Sequence, residues 1–223
     1  MPKVAIVDFG MGNLYSVERA CEKAGLEALV TRDPLDVDRA QAVILPGVGA
    51  FGDAMAFLKE RGLDRALCRA ADSDKPVMGV CLGLQLFMKE SCEFGRHEGL
   101  GLIPGSVIKF ETFQGEKEPL RVPHIGWAQV WPLGVDPMFL GVTPGERMYF
   151  IHSFRVVLED SRVEAASSVY EGIKFCAAVR WRNIFGCQFH PERSGPTGLK
   201  MYRNFLHAVD AASAPTVTEG AIL

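Results

Sequence analysis

Long hydrophobic runs are missing from this sequence. The longest apolar stretches, near 42–46 and 75–82, are as long as a strand, whereas a membrane-spanning helix needs about 20 apolar residues. The chain also enters its first apolar segment at Val4 without the basic region and cleavage site of a secretory signal. We therefore expect a cytoplasmic protein without a membrane as partner.

An excess of charge of either sign is also missing. The 24 lysines and arginines nearly balance the 27 aspartates and glutamates, so the formal net charge is only −3. Without a basic stripe, nucleic acid and anionic membrane surfaces are not expected as partners. The hydrophobic share of 48% in 223 residues instead predicts a substantial buried core.

Paired cysteines at short spacing are absent as well. The six cysteines include no C-x-x-C pair, and in a long chain without a secretory signal reduced thiols are expected. Most of them are predicted to be small core residues. The histidines and cysteines also lack the spacing of a zinc site, so we expect no metal and no other cofactor.

The pattern that is present alternates between strands and helices. Apolar runs predict strands at 3–8, 28–31, 42–45 and 77–80, and helical spacing predicts helices at 16–24, 53–61, 64–71 and 82–89. This alternation is typical of parallel βαβ units. After residue 104, short connections separate predicted strands at 106–111, 127–132, 147–151, 163–170, 174–181 and 184–189.

Hairpin turns are predicted at Glu171-Gly172 and around Asn183, and a last helix at 197–211. The sequence thus predicts an α/β fold with a central mixed, largely parallel sheet, flanking helices and an antiparallel C-terminal half. We expect a single domain over 1–211 and a flexible tail over 212–223.

The first chemical motif is Gly79-Val80-Cys81-Leu82-Gly83. It fits the G-x-S-x-G corner with sulfur in place of oxygen, between a predicted strand and a predicted helix. Cys81 would then lie at a helix N-terminus, where the helix dipole favours the thiolate. The alternative is a buried cysteine beside glycines that serve only packing.

The second motif is His190-Pro191-Glu192, which follows a predicted strand. A carboxylate bonded to one imidazole nitrogen fixes the tautomer and stabilises the imidazolium. A histidine and glutamate at this spacing are otherwise a common surface pair. With a thiol, an imidazole and a carboxylate, the chain carries the three groups of nucleophilic catalysis.

A glycine loop, Pro46-Gly47-Val48-Gly49, follows another predicted strand. It could be a plain turn, a phosphate cradle or part of an oxyanion hole. A phosphate cradle has weak support because a third glycine or a lysine is missing. The presence of Cys81 favours an oxyanion hole, because acyl transfer needs a second N–H donor beside that of Leu82.

These motifs resemble the class I, or triad, glutamine amidotransferases. The likeness is carried by Gly79-Val80-Cys81-Leu82-Gly83-Leu84-Gln85 and Phe189-His190-Pro191-Glu192. Within this family, further segments resemble the glutaminase subunits of imidazole glycerol phosphate synthases. They are Asp8-Phe9-Gly10-Met11-Gly12-Asn13-Leu14, Pro46-Gly47-Val48-Gly49-Ala50-Phe51, Pro123-His124-Ile125-Gly126-Trp127 and Tyr149-Phe150-Ile151-His152-Ser153-Phe154.

The resemblance implies hydrolysis of L-glutamine to glutamate and ammonia. It also implies a heterodimer with a (β/α)8-barrel cyclase subunit, which uses the ammonia to make imidazole glycerol phosphate in histidine biosynthesis. By position, Cys81 would be the nucleophile, His190 the base and acid, and Glu192 the group that orients the ring. The Gly47-Val48 peptide would reorient to complete the oxyanion hole when the partner is loaded.

The resemblance assigns three further sets of residues by position. The oxyanion amides would be those of Leu82 and Val48. The glutamine site would be lined by Gly49, Gln85, His152, Ser153 and Phe154. The partner would be faced by Asn13, Ile125 and Trp127.

Two positions depart from the family pattern. Ala128 stands where asparagine usually follows the Gly-Trp pair, and Arg193 stands where lysine is usual. The alternatives are a glutaminase that serves another synthase, such as the one making pyridoxal phosphate, a γ-glutamyl hydrolase, or a catalytically silent docking subunit. The segments 123–127 and 152–154 count against the first two, and the complete set of three catalytic groups counts against the third.

Overall fold

The computed structural model describes residues 1–110 and 120–214. The strands in these ranges are β1 Lys3–Val7, β2 Glu27–Thr31, β3 Ala42–Gly47, β4 Val77–Cys81, β5 Met88–Ser91, β6 His97–Glu98, β7 Ile103–Lys109, β8 His124–Pro132, β9 Arg147–His152, β10 Phe154–Leu158, β11 Glu164–Tyr170, β12 Ile173–Trp181 and β13 Ile184–Cys187. The α-helices are α1 Leu14–Ala24, α2 Pro34–Arg39, α3 Phe51–Arg61, α4 Leu63–Asp72, α5 Leu82–Leu86 and α6 Gly195–Ser213.

The larger sheet is mixed and has the strand order β2-β1-β3-β4-β13-β12-β11-β8-β9. Neighbours from β2 to β13 pair in parallel, and neighbours from β13 to β9 pair antiparallel. A smaller sheet has the order β10-β7-β5-β6. The predicted α/β fold with an antiparallel C-terminal half is confirmed.

The parallel strands are buried because side chains alternate between two apolar layers. In β1, Val4 and Ile6 pack with α1 and α6 on one face, whereas Ala5 and Val7 pack with α3 and α4 on the other. Each large aliphatic side chain buried in this way stabilises the fold by about 1.5–3 kcal/mol. The strand ends that carry the candidate site are therefore held by helices on both faces.

The helix predicted over 82–89 is too long. In the structure α5 ends at Leu86, and the chain enters β5 at Met88. The β5 strand pairs with β7, with Met88 opposite Ile103, and also with β6. This pairing overrides the local helical pattern, as tertiary contacts often do.

The helix α2 was not predicted, although its sequence signals are present. Asp33 caps the helix by accepting a hydrogen bond from the Leu35 N–H at 2.8 Å, and Pro34 occupies the first turn. The short strands β6 and β10 were not predicted either. The predicted hairpin turns are confirmed: Glu171 and Gly172 have positive φ between β11 and β12, and residues 182–183 connect β12 to β13.

The last helix, α6, is longer at both ends than the predicted range 197–211. It includes residues 212 and 213, which were assigned to the tail. Residues 215–223 of the predicted tail lie outside the described residues, as does residue 111 at the end of the strand predicted at 106–111. The single domain over 1–211 stays a prediction.

Candidate active site

Cys81 lies at the corner between β4 and α5. Its backbone has φ 55° and ψ −103°, a strained conformation that costs about 1–3 kcal/mol in a residue other than glycine. Close packing surrounds the corner, because a Cβ on Gly83 would lie 1.7 Å from the carbonyl oxygen of Leu45 in β3. The strand–turn–helix corner expected from the pentapeptide is therefore present.

His190 follows β13, the strand that pairs with β4 in parallel. Its backbone is held at both ends: the N–H donates to the Tyr149 carbonyl at 2.8 Å, and the carbonyl accepts from Ser194 Oγ at 2.7 Å. Glu192 lies in a 3-10 helix over Pro191–Arg193, and its Oε1 is 2.7 Å from His190 Nδ1. The pairing of β4 with β13 thus brings groups 109 positions apart to one edge of the sheet.

The charges around His190 favour an imidazolium. Burial opposes charge on the ring, but the Cys81 sulfur and the Glu192 carboxylate outweigh it and raise the pKa of His190 to about 10. His190 Nε2 is buried and has no hydrogen-bond partner among the described residues.

One cavity of about 430 Å³ brings most of the predicted site residues together. Its lining includes the three groups of the triad, both residues that were predicted to supply oxyanion amides, and all five that were predicted to line a glutamine site. These residues are Cys81, His190, Glu192, Leu82, Val48, Gly49, Gln85, His152, Ser153 and Phe154. A volume of this size is typical of a small-molecule site.

His152 is engaged within the protein through both ring nitrogens. Its Nδ1 is 2.7 Å from the Phe154 carbonyl oxygen, and its Nε2 is 3.2 Å from Nδ1 of His124. Burial lowers the pKa of His152 to about 3 and that of His124 to about 4. Both imidazoles are therefore neutral at pH 7, and His152 shapes the cavity by holding the backbone of 152–154.

Two residues at the site were missed in the sequence. Glu93 is buried and lines the cavity, and its Oε2 accepts the Phe51 N–H at 2.7 Å. Gln188 is fully buried, with Nε2 3.6 Å from Cys81 Sγ. The signal for Gln188 was a polar residue inside an apolar strand, two positions before His190, whereas Glu93 lies in a polar stretch that offered no comparable signal.

The three residues that were predicted to face a partner lie at two separate positions in the structure. Asn13 lines the cavity and caps α1, its Oδ1 accepting the Ser16 N–H at 3.2 Å. Ile125 and Trp127 lie on β8 outside the cavity, with 58% and 48% of their surfaces exposed.

Both departures from the family pattern lie near this exposed strand. The guanidinium of Arg193 lies 4.4 Å from the centre of the Tyr149 ring, which contacts the Trp127 ring edge to face at 6.0 Å. An arginine suits this stacked position because its planar group packs on aromatic faces. Ala128 packs against the core beneath the strand.

Comparison with known proteins defines the class to which this chain belongs. The family described as "Glutamine amidotransferase class-I" matches residues 5–209, and the chain belongs to this family. It is 48% identical over 204 residues to a Syntrophotalea carbinolica protein named "Imidazole glycerol phosphate synthase subunit HisH", covering 91% of this chain and 98% of that one. A protein of the same name from Geobacter sulfurreducens is 44% identical over 206 residues, with 92% and 98% covered.

Solved structures share the fold at lower sequence identity. A structure of PurLQS from Thermotoga maritima superposes with a TM-score of 0.71 at 24% identity, covering 92% of this chain and 98% of that one. The glutaminase domain of CTPS from Trypanosoma brucei, solved with bound acivicin, gives a TM-score of 0.68 at 17% identity, with 95% and 94% covered. These structures support the class I fold.

Within residues 1–110 and 120–214, no helix has the length and apolar character to cross a bilayer. Within the same ranges no three His, Cys, Asp or Glu side chains are grouped as a metal site requires.

Proposed function

We propose that this chain is the glutaminase subunit of an imidazole glycerol phosphate synthase. It hydrolyses L-glutamine to glutamate and ammonia and passes the ammonia to a cyclase subunit in histidine biosynthesis. The observation that carries the proposal is the convergence of Cys81, His190 and Glu192 on one cavity. The support from relatives is an identity of 44–48% to named synthase subunits over nearly their full length.

The first half of the reaction forms a thioester on Cys81. The sulfur attacks the side-chain amide carbon of glutamine, and the carbonyl oxygen becomes an oxyanion. This oxyanion accepts hydrogen bonds from the backbone N–H groups of Leu82 and Val48. Because the pKa of His190 is raised to about 10, the ring holds a proton at neutral pH. His190 gives this proton to the departing nitrogen, and ammonia leaves as the carbon–nitrogen bond breaks.

The second half hydrolyses the thioester. Neutral His190 now takes a proton from water, and the resulting hydroxide attacks the γ-glutamyl carbon. The carbon–sulfur bond breaks, which releases glutamate and returns the thiolate. Glu192 keeps Nδ1 bonded at 2.7 Å in the resting site, so Nε2 is the nitrogen that exchanges protons in both halves.

The cavity also offers groups for the α-amino acid end of glutamine. Glu93 is the carboxylate in its lining that uses one oxygen for the Phe51 N–H. The other oxygen can accept a hydrogen bond from the α-ammonium of the substrate, which is a charge-assisted contact. We assign Gly49, Gln85, His152, Ser153 and Phe154 to the remaining surface of the glutamine site.

The partner face includes Ile125 and Trp127, whose exposed side chains leave an apolar patch on β8. Asn13 borders the cavity at the start of α1. A (β/α)8-barrel cyclase that docks over these residues would receive ammonia before bulk water protonates it. Reorientation of the Gly47-Val48 peptide completes the oxyanion hole when this partner is loaded.

The proposal is tested with Cys81→Ala in the presence of the cyclase subunit and its ribonucleotide substrate. Glutamine-dependent formation of imidazole glycerol phosphate should be lost, whereas formation from added ammonium salts should persist. Cys92→Ala is the matched control, because Cys92 is exposed and lies outside the cavity lining. Glutamine hydrolysis by the Cys81→Ala variant would remove Cys81 from its role.

The dependence on the partner is measured as glutamate release by the parent chain. Turnover should be low for the isolated chain and should rise strongly when the cyclase and ribonucleotide are added. Equal turnover with and without them would refute the proposed reorientation of the Gly47-Val48 peptide. A strong rise with a different synthase barrel, and none with the cyclase, would favour a glutaminase of another pathway.

A further inference from the structure

A chain of hydrogen bonds, whose last two members are buried, leads from the proposed glutamine site to the Cys81 sulfur. It starts at the Phe154 carbonyl oxygen, which accepts from His152 Nδ1 at 2.7 Å and from Gln85 Nε2 at 3.2 Å. A carbonyl oxygen can only accept. Gln85 must therefore turn its NH2 group, and not its oxygen, towards Phe154, which fixes the direction of its side-chain amide.

The second hydrogen of the Gln85 NH2 group fixes the next amide. Gln85 Nε2 is 3.1 Å from Gln188 Oε1, so Gln188 accepts through its oxygen at this contact. The NH2 group of Gln188 then lies on the opposite side, with Nε2 3.6 Å from Cys81 Sγ. The Gln188 side chain is fully buried.

We propose that Gln188 is a further catalytic residue, whose Nε2–H donates a hydrogen bond to Cys81 Sγ and stabilises the thiolate. Gln85 acts as its positioning residue by holding the amide oxygen. The inference rests on the proposed role of Cys81 as nucleophile, and it adds a donor beyond the oxyanion amides. It also connects a residue assigned to the glutamine site with the sulfur through two consecutive hydrogen bonds.

The chemistry involves one proton and no other reactant. In the thiol form the S–H group can donate to the Ile151 carbonyl, 3.7 Å away. When this proton leaves to solvent beside the protonated His190 ring, the sulfur becomes an anionic acceptor and the bond from Gln188 strengthens, because hydrogen bonds to charged groups are the stronger ones. When the thioester forms, the sulfur loses its negative charge and Gln188 returns to a weak contact.

The test measures the rate of Cys81 alkylation by iodoacetamide against pH in the full chain. The labelled peptide is resolved by mass spectrometry, which separates Cys81 from the other five cysteines. In Gln188→Met the midpoint of the profile should rise by about one pH unit, so that the rate below the midpoint falls about tenfold. The plateau at high pH should stay near that of the parent.

A structural role for Gln188 predicts a different result. If the amide only satisfies Gln85, its loss should lower the urea midpoint of unfolding and leave the alkylation midpoint in place. Gln188→Asn keeps an amide that is one methylene too short to reach the sulfur and Gln85 together. Under the proposal, its alkylation midpoint should therefore rise, as in Gln188→Met. Gln129→Met is the matched control, because the Gln129 side chain is exposed on β8.

A measurement on the parent chain covers the case in which both variants fail to fold. The 15N chemical shift of one glutamine side-chain amide should change with pH, with the same midpoint as alkylation. In Cys81→Ala this change should be absent. An unchanged midpoint in folded variants, or no such signal in the parent, would overturn the proposal. Alkylation needs neither glutamine nor the cyclase, so a failure of the proposed function would appear separately in the glutamate-release assay.

Discussion

At Cys81 the backbone geometry and the reactive group make opposite demands on the residue. The thiol requires a side chain, whereas φ 55° and ψ −103° favour a residue without Cβ. Removing the sulfur with retention of Cβ leaves the strain, and removing Cβ relieves it. We therefore predict that the free energy of unfolding, measured by urea denaturation, is about 1 kcal/mol higher for Cys81→Gly than for Cys81→Ala.

This order is the reverse of the usual one, because glycine normally destabilises by about 0.5–1 kcal/mol relative to alanine. Cys92 provides the comparison: it is exposed and is not among the residues with positive φ. Cys92→Gly should be less stable than Cys92→Ala. Finding the same order at both positions would mean that the corner at Cys81 stores no strain.

Glu93 supports a second prediction about a single side chain. In Glu93→Gln an oxygen remains to accept the Phe51 N–H, but the negative charge facing the cavity is lost. We expect KM for glutamine to rise about tenfold or more while kcat changes little, because the contact lies at the α-ammonium and not at the reacting amide. Steady-state glutamate release with the loaded partner measures both constants.

Glu98→Gln is a suitable control for Glu93, since the Glu98 side chain is largely exposed and lies 3.9 Å from Lys59. It should leave both kinetic constants unchanged. A lower kcat with an unchanged KM in Glu93→Gln would place this carboxylate in the chemical step and contradict the assignment.

Individual residues also show what the sequence could and could not provide. Cys81 and His190 could be found because glycines and proline mark their local geometry. Gln188 could not be assigned, because its contact with Cys81 depends on the pairing of β13 with β4 and on the orientation of Gln85. Glu93 has no local marker, and it follows β5, whose position is set by pairing with β7, a strand more distant in sequence.

Among the elements, α5 shows the same limit of local patterns. The helix was expected to reach residue 89, but strand pairing at Met88 ends it. The alternation of strands and helices nevertheless predicted the parallel half, because that pattern reflects burial on both faces. The predictions at boundaries were weaker, since an end such as Leu86 depends on contacts that are distant in sequence.

The corner between β4 and α5 allows a test of how closely these elements must approach. In Gly83→Ala the new Cβ would lie 1.7 Å from the Leu45 carbonyl oxygen, so β3 or α5 has to move. We expect a loss of about 1–3 kcal/mol in the free energy of unfolding, measured by urea denaturation. Glutamine hydrolysis should fall as well, because the movement displaces Cys81.

Gly134→Ala separates this collision from the cost of backbone conformation. Gly134 has φ +74°, and a Cβ there meets no atom within 4 Å, so only a conformational cost of about 1 kcal/mol applies. Hydrolysis should be unaffected in this variant. If Gly83→Ala were as stable and as active as the parent, the corner would be looser than the structure indicates.

For the whole molecule, the mixed sheet decides which groups meet. Its parallel half carries Cys81 and its antiparallel half carries His152, and β13 at the junction leads into His190. The same sheet buries the His124–His152 pair, with His124 stacked between the rings of Tyr170 and Phe150. The stability of the fold is therefore coupled to the protonation of these two imidazoles.

The sign of this coupling follows from the two pKa values. Burial lowers them from an ordinary 6.5 to about 4 for His124 and about 3 for His152. Between about pH 4 and pH 6.5 the unfolded chain binds protons that the folded chain does not, so stability falls as the pH is lowered through this window. His190 acts oppositely at higher pH: its pKa is raised to about 10, and its stabilising contribution is lost as the pH rises from 6.5 towards 10.

We therefore predict that His124→Phe reduces the dependence of stability on pH in the acidic window. Phenylalanine retains the stacking on Tyr170 and Phe150 but binds no proton, so the slope should decrease by up to one proton, about 1.4 kcal/mol per pH unit. The measurement is the free energy of unfolding from urea titrations between about pH 4.5 and 6.5, which lies between the lowered pKa of His124, about 4, and its ordinary value of 6.5. His207→Phe is the control, because His207 lies on the exposed face of α6, and it should leave the slope unchanged. An equal slope in the parent and in His124→Phe would show that His124 binds its proton equally in the folded and the unfolded chain.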